Sequence, residues 1–218
     1  MGYFSDIKGH IDAAMENDPA ARTKLEVFLL YPGVKALIRH KRAHWYYEHG
    51  CLFLARYVSQ RTRKKTGIEI HPGAKIGKKC FIDHGMGIVI GETTEVGDNC
   101  VIYQGVTLGG TGKDKGKRHP TIGNNVVISC GARVLGPFTV GNNVNIGAGS
   151  VVLHAVPDDC TVVGIPGTIV RVRGENALSL RHDEMPDPVA AELECLQNHI
   201  FKLEQELIEV ENERKQTN

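Results

Sequence analysis

No run of about 18 apolar residues occurs anywhere in this 218-residue chain, so no segment reads as a membrane-spanning helix. The opening residues, Met1-Gly2-Tyr3-Phe4-Ser5-Asp6, lack a basic stretch ahead of an apolar core and do not read as a signal peptide. Asp6 also breaks the myristoylation pattern. Neither sign of charge is in excess: 26 Lys and Arg stand against 25 Asp and Glu, a net of +1. That balance gives no electrostatic reason to expect nucleic acid or an acidic membrane as partner. The six cysteines form no CxxC pair and no zinc-like grouping, which argues against a structural metal site. The expectation is a cytoplasmic protein with reduced thiols and no metal.

What the chain does have is a rhythm of six. Ile70, Ile76 and Ile82 are followed, after a slip of two residues, by Ile90, Val96, Ile102 and Leu108. After a polar insertion it resumes at Ile122, Ile128, Val134, Val140, Ile146 and Val152. A period of six is the signature of a hexapeptide β-helix, in which short strands stack as a solenoid. The branched side chains point inward and stack between coils. The residue four further on is mostly small or medium (Ala74, Cys80, Thr94, Cys100, Val106, Val126, Ala132, Val144, Ser150) and fills the remaining interior. Glycine often follows the aliphatic residue, as at Gly77, Gly97, Gly123 and Gly141, where a corner with positive φ is expected. Asn124, Asn125, Asn142 and Asn143 sit beside those corners, where Asn tolerates turn geometry.

Three segments result: a helical segment over 1–66, the β-helix over 67–173, and a linker with a C-terminal helix over 174–218. The fold class is α+β: helices, then a left-handed parallel β-helix, then a coiled-coil-like helix. In the first segment Leu25, Phe28 and Leu29 share a helical face, as do Val34, Leu37 and Ile38. Asp18-Pro19 reads as a helix start and Tyr31-Pro32-Gly33 as a break. In the last segment Leu193, Leu196, Ile200, Leu203, Leu207 and Val210 alternate spacings of three and four, a heptad seam suited to assembly.

The chemistry is sought where the rhythm breaks. The slip between Ile82 and Ile90 holds Asp83-His84-Gly85-Met86-Gly87, an acid and an imidazole on a bulge of the wall. Glu69 lies 15 residues before His84, close to one coil of about 18, so the two are expected on adjacent coils. A carboxylate there would orient the ring, the base-plus-orienter arrangement of acyl transfer. His84 could equally be a surface turn residue. The second break, Gly109–Thr121, is a glycine- and charge-rich loop carrying Arg118 and His119, with anion binding and simple solvation both open.

Taken together, Asp18-Pro19-Ala20, Tyr31-Pro32-Gly33, Ile70-His71-Pro72, Asp83-His84-Gly85, Gly87-Ile88-Val89-Ile90-Gly91-Glu92-Thr93, Val106–Lys113 and Arg118-His119-Pro120 resemble the bacterial serine O-acetyltransferases. The resemblance implies transfer of acetyl from acetyl-CoA to the hydroxyl of L-serine, the first step of cysteine biosynthesis. It implies His84 as base and Glu69 as its carboxylate partner, although well-known members carry Asp there. It implies Asp18 and Asp83 on the substrate ammonium group, and Arg118 and His119 on its carboxylate. A zwitterion needs acid on one side and a guanidinium fork on the other. Coenzyme contacts are implied near Gly110, Cys130 and Ala148, with Lys113 toward a phosphate, along the groove between adjacent solenoids. Acetyl-CoA is thus a co-substrate, the assembly a trimer or hexamer, and cysteine a feedback inhibitor. Members that dock into O-acetylserine sulfhydrylase end in isoleucine; here the last residues are Lys215-Gln216-Thr217-Asn218.

Other hexapeptide acetyltransferases, acting on sugar or antibiotic hydroxyls, would share His84 but would not need Arg118 opposite Asp18 and Asp83. A γ-carbonic anhydrase would need a further histidine where Asn124 and Asn125 stand. A pure scaffold would have kept its rhythm through the Asp83-His84 bulge. The heptad carries its own test. Truncation after Arg181 is expected to lower the mass of the assembly measured by light scattering, and an unchanged mass would remove the tail from assembly.

Overall fold

The computed structural model describes residues 3–112, 115–170, 193 and 196–206. Four helices come first: α1 (Tyr3–Asn17), α2 (Lys24–Leu30), α3 (Pro32–Glu48) and α4 (Leu52–Thr66). Thr23 caps α2: its hydroxyl accepts the Glu26 backbone N–H at 3.2 Å, satisfying a donor that a first turn leaves open. Pro32 opens α3, where a missing N–H costs nothing. Arg63, Lys64 and Lys65 lie in the last turn of α4, where cations suit the helix dipole.

One expectation for this segment is corrected. Asp18-Pro19 does not start a helix. It follows the end of α1, and Asp18 Oδ1 accepts the Ala20 N–H at 2.8 Å, so its carboxylate closes a local turn while the cap falls to Thr23. On α2 the face of Leu25, Phe28 and Leu29 is exposed, and Val27 is the buried residue. On α3, Val34 and Leu37 are buried as expected, with Ile38 packed alongside.

The solenoid runs through fifteen short strands: β1 (Glu69–Ile70), β2 (Lys75–Ile76), β3 (Phe81–Ile82), β4 (Val89–Ile90), β5 (Glu95–Val96), β6 (Val101–Ile102), β7 (Thr107–Gly109), β8 (Thr121–Ile122), β9 (Val127–Ile128), β10 (Arg133–Leu135), β11 (Thr139–Val140), β12 (Asn145–Ile146), β13 (Val151–Val152), β14 (Thr161–Val163) and β15 (Thr168–Val170). They form three faces. Face one stacks β1, β4, β7, β10 and β13; face two stacks β2, β5, β8 and β11; face three stacks β3, β6, β9, β12, β14 and β15. All pairs are parallel except β14 with β15. Each coil therefore has three edges, and only there does the chain leave strand geometry.

The inward positions are as the rhythm predicts. Ile90, Ile102, Leu108, Ile122, Ile128, Val134, Val140 and Ile146 are buried, as are Ala74, Cys80, Thr94, Cys100, Val106, Val126, Ala132, Val144 and Ser150. The corner glycines need a different explanation from the one expected. Gly77, Gly97, Gly123 and Gly141 do not have positive φ. A Cβ on Gly97 or Gly123 would stand 2.5 Å from a carbonyl oxygen of the next coil, so it is close approach that excludes a side chain. Positive φ falls two residues later, on the column Lys79, Asn99, Asn125, Asn143 and Asp159. Their side chains ladder up the edge: Asn99 Nδ2 to Asn125 Oδ1 at 3.2 Å, Asn125 to Asn143 at 3.0 Å, Asn143 to Asp159 at 2.9 Å.

The helices are clamped to the first coil by buried polar contacts. His10 Nδ1 donates to Cys80 O at 3.0 Å, His40 Nε2 to Ala74 O at 3.0 Å, His44 Nδ1 to Pro72 O at 2.7 Å, and Ser59 Oγ to Ile70 O at 2.7 Å. The chain divides into two compact units, Met1–Met185 and Pro186–Asn218. In the second, residues 193 and 196–206 are helical, and Leu193, Leu196, Ile200 and Leu203 of the seam are exposed. Leu207, Val210 and the linker 183–188 lie outside the described residues. Among the described residues no helix is long and apolar enough to cross a membrane.

His40 gives this clamp a pH dependence. Burial, reinforced by neighbouring His44, pushes its pKa down to about 3. The unfolded chain binds a proton at about pH 6.5 that the folded chain refuses. Stability contributed here is therefore lost as pH falls from about 6.5 toward 3, by up to about 1.4 kcal/mol per pH unit. His40→Gln, whose amide can still donate to Ala74, is expected to flatten the fall in urea-unfolding free energy between roughly pH 6 and 4 by that amount. An unchanged slope would contradict a neutral His40.

Candidate active site

The expected site residues collect on two edges of the prism. The first lies between faces three and one. Here six residues, Asp83 to Ile88, join β3 to β4, with His84, Gly85 and Gly87 at positive φ. A non-glycine residue at φ 55° is uncommon, and it turns the exposed His84 on the tip of the corner. Asp83 is half-buried. Burial raises its pKa, as does nearby Asp18, while His84 opposes the shift. Asp18 is held by the Tyr31 phenol, which donates to its Oδ2 at 2.5 Å. That bond, with burial, pushes the Tyr31 pKa up to about 12. Tyr103, one coil on, is raised by burial and then by the charges of Asp83, Asp18 and Cys130. Cys130 and Ala148 are exposed on later turns of this same edge.

The second edge lies between faces one and two. The long loop leaves β7 at Gly109, passes the exposed Gly110 and returns at Arg118 and His119 before β8. Lys113 lies outside the described residues. The returning strap is fastened to Gly91-Glu92-Thr93. The Thr93 hydroxyl accepts backbone N–H groups from Arg118 at 3.0 Å and His119 at 3.1 Å. The Thr93 N–H donates to His119 Nδ1 at 3.2 Å. Lys117 Nζ donates to Thr93 O at 2.8 Å. The Arg118 guanidinium pairs with Glu92, which also receives the Tyr47 hydroxyl at 3.1 Å. His119 is buried, which lowers its pKa, and Arg118 adds to the effect. His71, on the same edge, has the turn role expected: its Nδ1 accepts the Gly73 N–H at 3.1 Å.

The structure thus brings Asp18, Asp83 and His84 together, and separately Arg118 and His119. Within one chain it does not bring the two groups together. Asp83 and His84 lie on the corner before β4, and Arg118 and His119 on the corner before β8, so face one stands between them. The pairing of Glu69 with His84 expected from their spacing is not made within the chain, among the described residues. The register sets Glu69 opposite Val89, beyond the corner that carries His84. The end of α4 claims its carboxylate instead: Arg63 at 3.3 Å, Arg56 at 3.7 Å and Gln60 at 3.4 Å. Glu69 lines a cleft of about 550 Å³ with Arg63, Lys64, Met86 and Val89.

Four residues of the site were given no role from the sequence: Tyr31, Tyr47, Glu92 and Thr93. The signal for the last two was present, since both are polar and directly follow a corner glycine. The phenols gave none, because their partners lie 13 and 45 residues away. No group of three His, Cys, Asp or Glu is placed to hold a metal ion among the described residues.

Stacked hexapeptides with polar chemistry confined to two edges define a left-handed β-helical transferase of the hexapeptide-repeat class. The bacterial transferase hexapeptide (six repeats) family matches residues 119–154. A serine acetyltransferase of Bacillus licheniformis is 54% identical over 212 residues, 97% of this chain and 98% of the relative. Among solved structures, the Neisseria gonorrhoeae serine acetyltransferase in complex with serine is 39% identical with a TM-score of 0.75, over 77% of this chain and 69% of that one. The Brucella abortus serine acetyltransferase in complex with coenzyme A is 41% identical with a TM-score of 0.77, over 79% and 69%. The chain belongs to the serine acetyltransferase family.

Gly91 is the position on which the second edge depends, because a Cβ there would overlap the His119 ring. Gly91→Ala is expected to displace that ring and to cost roughly 1–3 kcal/mol of stability. Urea unfolding and the His119 imidazole resonances by NMR would check it. A fully stable variant with an unmoved His119 would contradict the packing described.

Proposed function

We propose that this chain is a serine O-acetyltransferase whose reaction is completed between two copies. The observation that carries the reading is the division of the site: acids and a corner histidine on one edge, a braced guanidinium on the other. The ammonium group of L-serine fits Asp18 and Asp83. Its charge would offset the burial, and the nearby Asp18, that raise the Asp83 pKa. The serine carboxylate fits Arg118 and His119 of a neighbouring solenoid laid edge to edge. Contact between two different edges is heterologous, and such contacts close into a ring; a trimer is the smallest that fits a three-faced prism, and a hexamer would pair two of them. The exposed heptad residues support a part for the tail in the same assembly.

Acetyl-CoA is the co-substrate, in the groove between solenoids, against main-chain groups near Gly110, Cys130 and Ala148. The imidazole of His84 can take the proton of the serine hydroxyl as its oxygen attacks the thioester carbonyl. Backbone N–H groups at the corner would stabilise the oxyanion. Collapse expels the coenzyme thiolate, which takes the proton from the imidazolium, leaving O-acetylserine and coenzyme A. To orient His84, Glu69 would have to leave Arg63 and Arg56 or reach it across the interface between copies. A cysteine fits the same two charged groups as serine, which supports feedback inhibition. Free Cys80, Cys100 and Cys160, all buried, suit the reducing cytoplasm.

The test is thiol release from acetyl-CoA with and without L-serine, for wild type and His84→Ala. Serine-dependent release that falls by about 10²-fold or more in the variant is expected. No response to serine would reject the reading, and sugar and amino-alcohol acceptors would then be compared.

A further inference from the structure

We infer that Tyr47 and Glu92 are positioning residues for substrate recognition: from helix α3 and the second edge they fix the Arg118 guanidinium that receives the serine carboxylate. The inference rests on the reading that Arg118 binds that carboxylate.

The geometry is a three-member relay. Tyr47, near the end of α3, donates its hydroxyl to one oxygen of Glu92 at 3.1 Å. The other Glu92 oxygen holds one terminal nitrogen of Arg118. The other terminal nitrogen reaches Gly116 O at 3.4 Å. A guanidinium carries five donors. Two are therefore committed within the chain, and three remain for a ligand, among the described residues. The backbone of Arg118 is fixed separately by Thr93, so the relay acts on the side chain alone.

The division of Glu92 between two donors is the functional part. A carboxylate facing Arg118 alone would close a bidentate fork and compete with the carboxylate of the substrate. The phenol occupies one oxygen and draws charge away from the pair. That leaves Glu92 as a one-point tether rather than a competitor. The carboxyl of Glu92 is held below its usual range, by the Arg118 bond first, with the Tyr47 bond and the nearby His71 adding to it, so the tether stays charged at working pH. Tyr47 itself is fixed: it packs edge-on to the His71 ring at 6.0 Å, and a Cβ on Gly73 would meet its ring at 3.1 Å. A side chain from the helical segment is thereby built into the carboxylate pocket.

The test compares Tyr47→Phe, Glu92→Gln and Arg118→Ala by steady-state kinetics, with the double variant Tyr47→Phe/Arg118→Ala. Loss of one charge-assisted bond predicts a rise in KM for L-serine of about tenfold in each of the first two. Their kcat should stay within about threefold of wild type and their KM for acetyl-CoA should not move. Arg118→Ala should raise the serine KM further, and adding Tyr47→Phe to it should change nothing more. A merely structural role would instead lower kcat or add its cost in the double variant. If Arg118→Ala leaves the serine KM unchanged, the reading of Arg118 fails. If Arg118→Ala raises it while Tyr47→Phe and Glu92→Gln do not, the relay alone is overturned.

Discussion

Everything in this molecule depends on the register of parallel stacking between coils. Eighteen residues separate Val89 from Thr107 and Arg133 from Val151 on face one. Twenty separate Glu69 from Val89, and twenty-six separate Thr107 from Arg133. The strands nevertheless stay opposite one another, because a slip by one residue would turn every inward Ile or Val to solvent. Extra residues can be taken up only at edges. The additional two make the Asp83–Ile88 corner, and the additional eight make the Gly109–Thr121 loop. The same constraint that forces a uniform core therefore concentrates irregular backbone, polar side chains and positive φ on edges, and two of these hold the residues proposed for the site.

That concentration has an electrostatic consequence. The acids and the guanidinium sit on opposite margins of face one. At about 15 Å in water two unit charges interact by only roughly 0.3 kcal/mol, far too little to hold an amino acid or to position it. Within one chain each margin instead satisfies its own charges locally: Tyr31 caps Asp18, Glu92 pairs with Arg118, and Arg63 and Arg56 take Glu69. On the function proposed above, another copy laid edge to edge would supply the missing margin.

How much of this could be read from sequence follows from how local each feature is. The six-residue period fixes which side chains point inward, because each hexapeptide repeats the same local geometry. Thr94 and Ser150 are buried on that rule despite their hydroxyls. The Asp83-His84 bulge was visible as a break in the period for the same reason. What was not visible is what depends on contacts between distant segments. Asp18 reads as a helix cap from its proline neighbour, yet its decisive partner is Tyr31. Glu69 and His84 are one coil apart by count, yet α4 returns two guanidinium groups to Glu69 first. The glycine corners were found for the wrong reason, since steric closeness to the next coil can be seen only once the coils are stacked.

Helix α3 is the element that ties the two margins together. Tyr31, at its start, holds Asp18 beside Asp83; Tyr47, near its end, holds Glu92 beside Arg118. Sixteen residues at 1.5 Å rise place the backbone of the two tyrosines about 24 Å apart along the axis. Two imidazoles fix the helix to the first coil along the way, His40 through Ala74 and His44 through Pro72. A charged clamp at His40 would carry a desolvation cost that the buried, neutral ring avoids. The helical segment is thus a rigid strut that sets the acid on one edge and the guanidinium on the other at fixed heights. When copies are laid edge to edge, the spacing between ammonium and carboxylate sites is then determined by α3 and its phenols together with the solenoid. This gives a physical reason for joining helices to a β-helix that already has a core of its own.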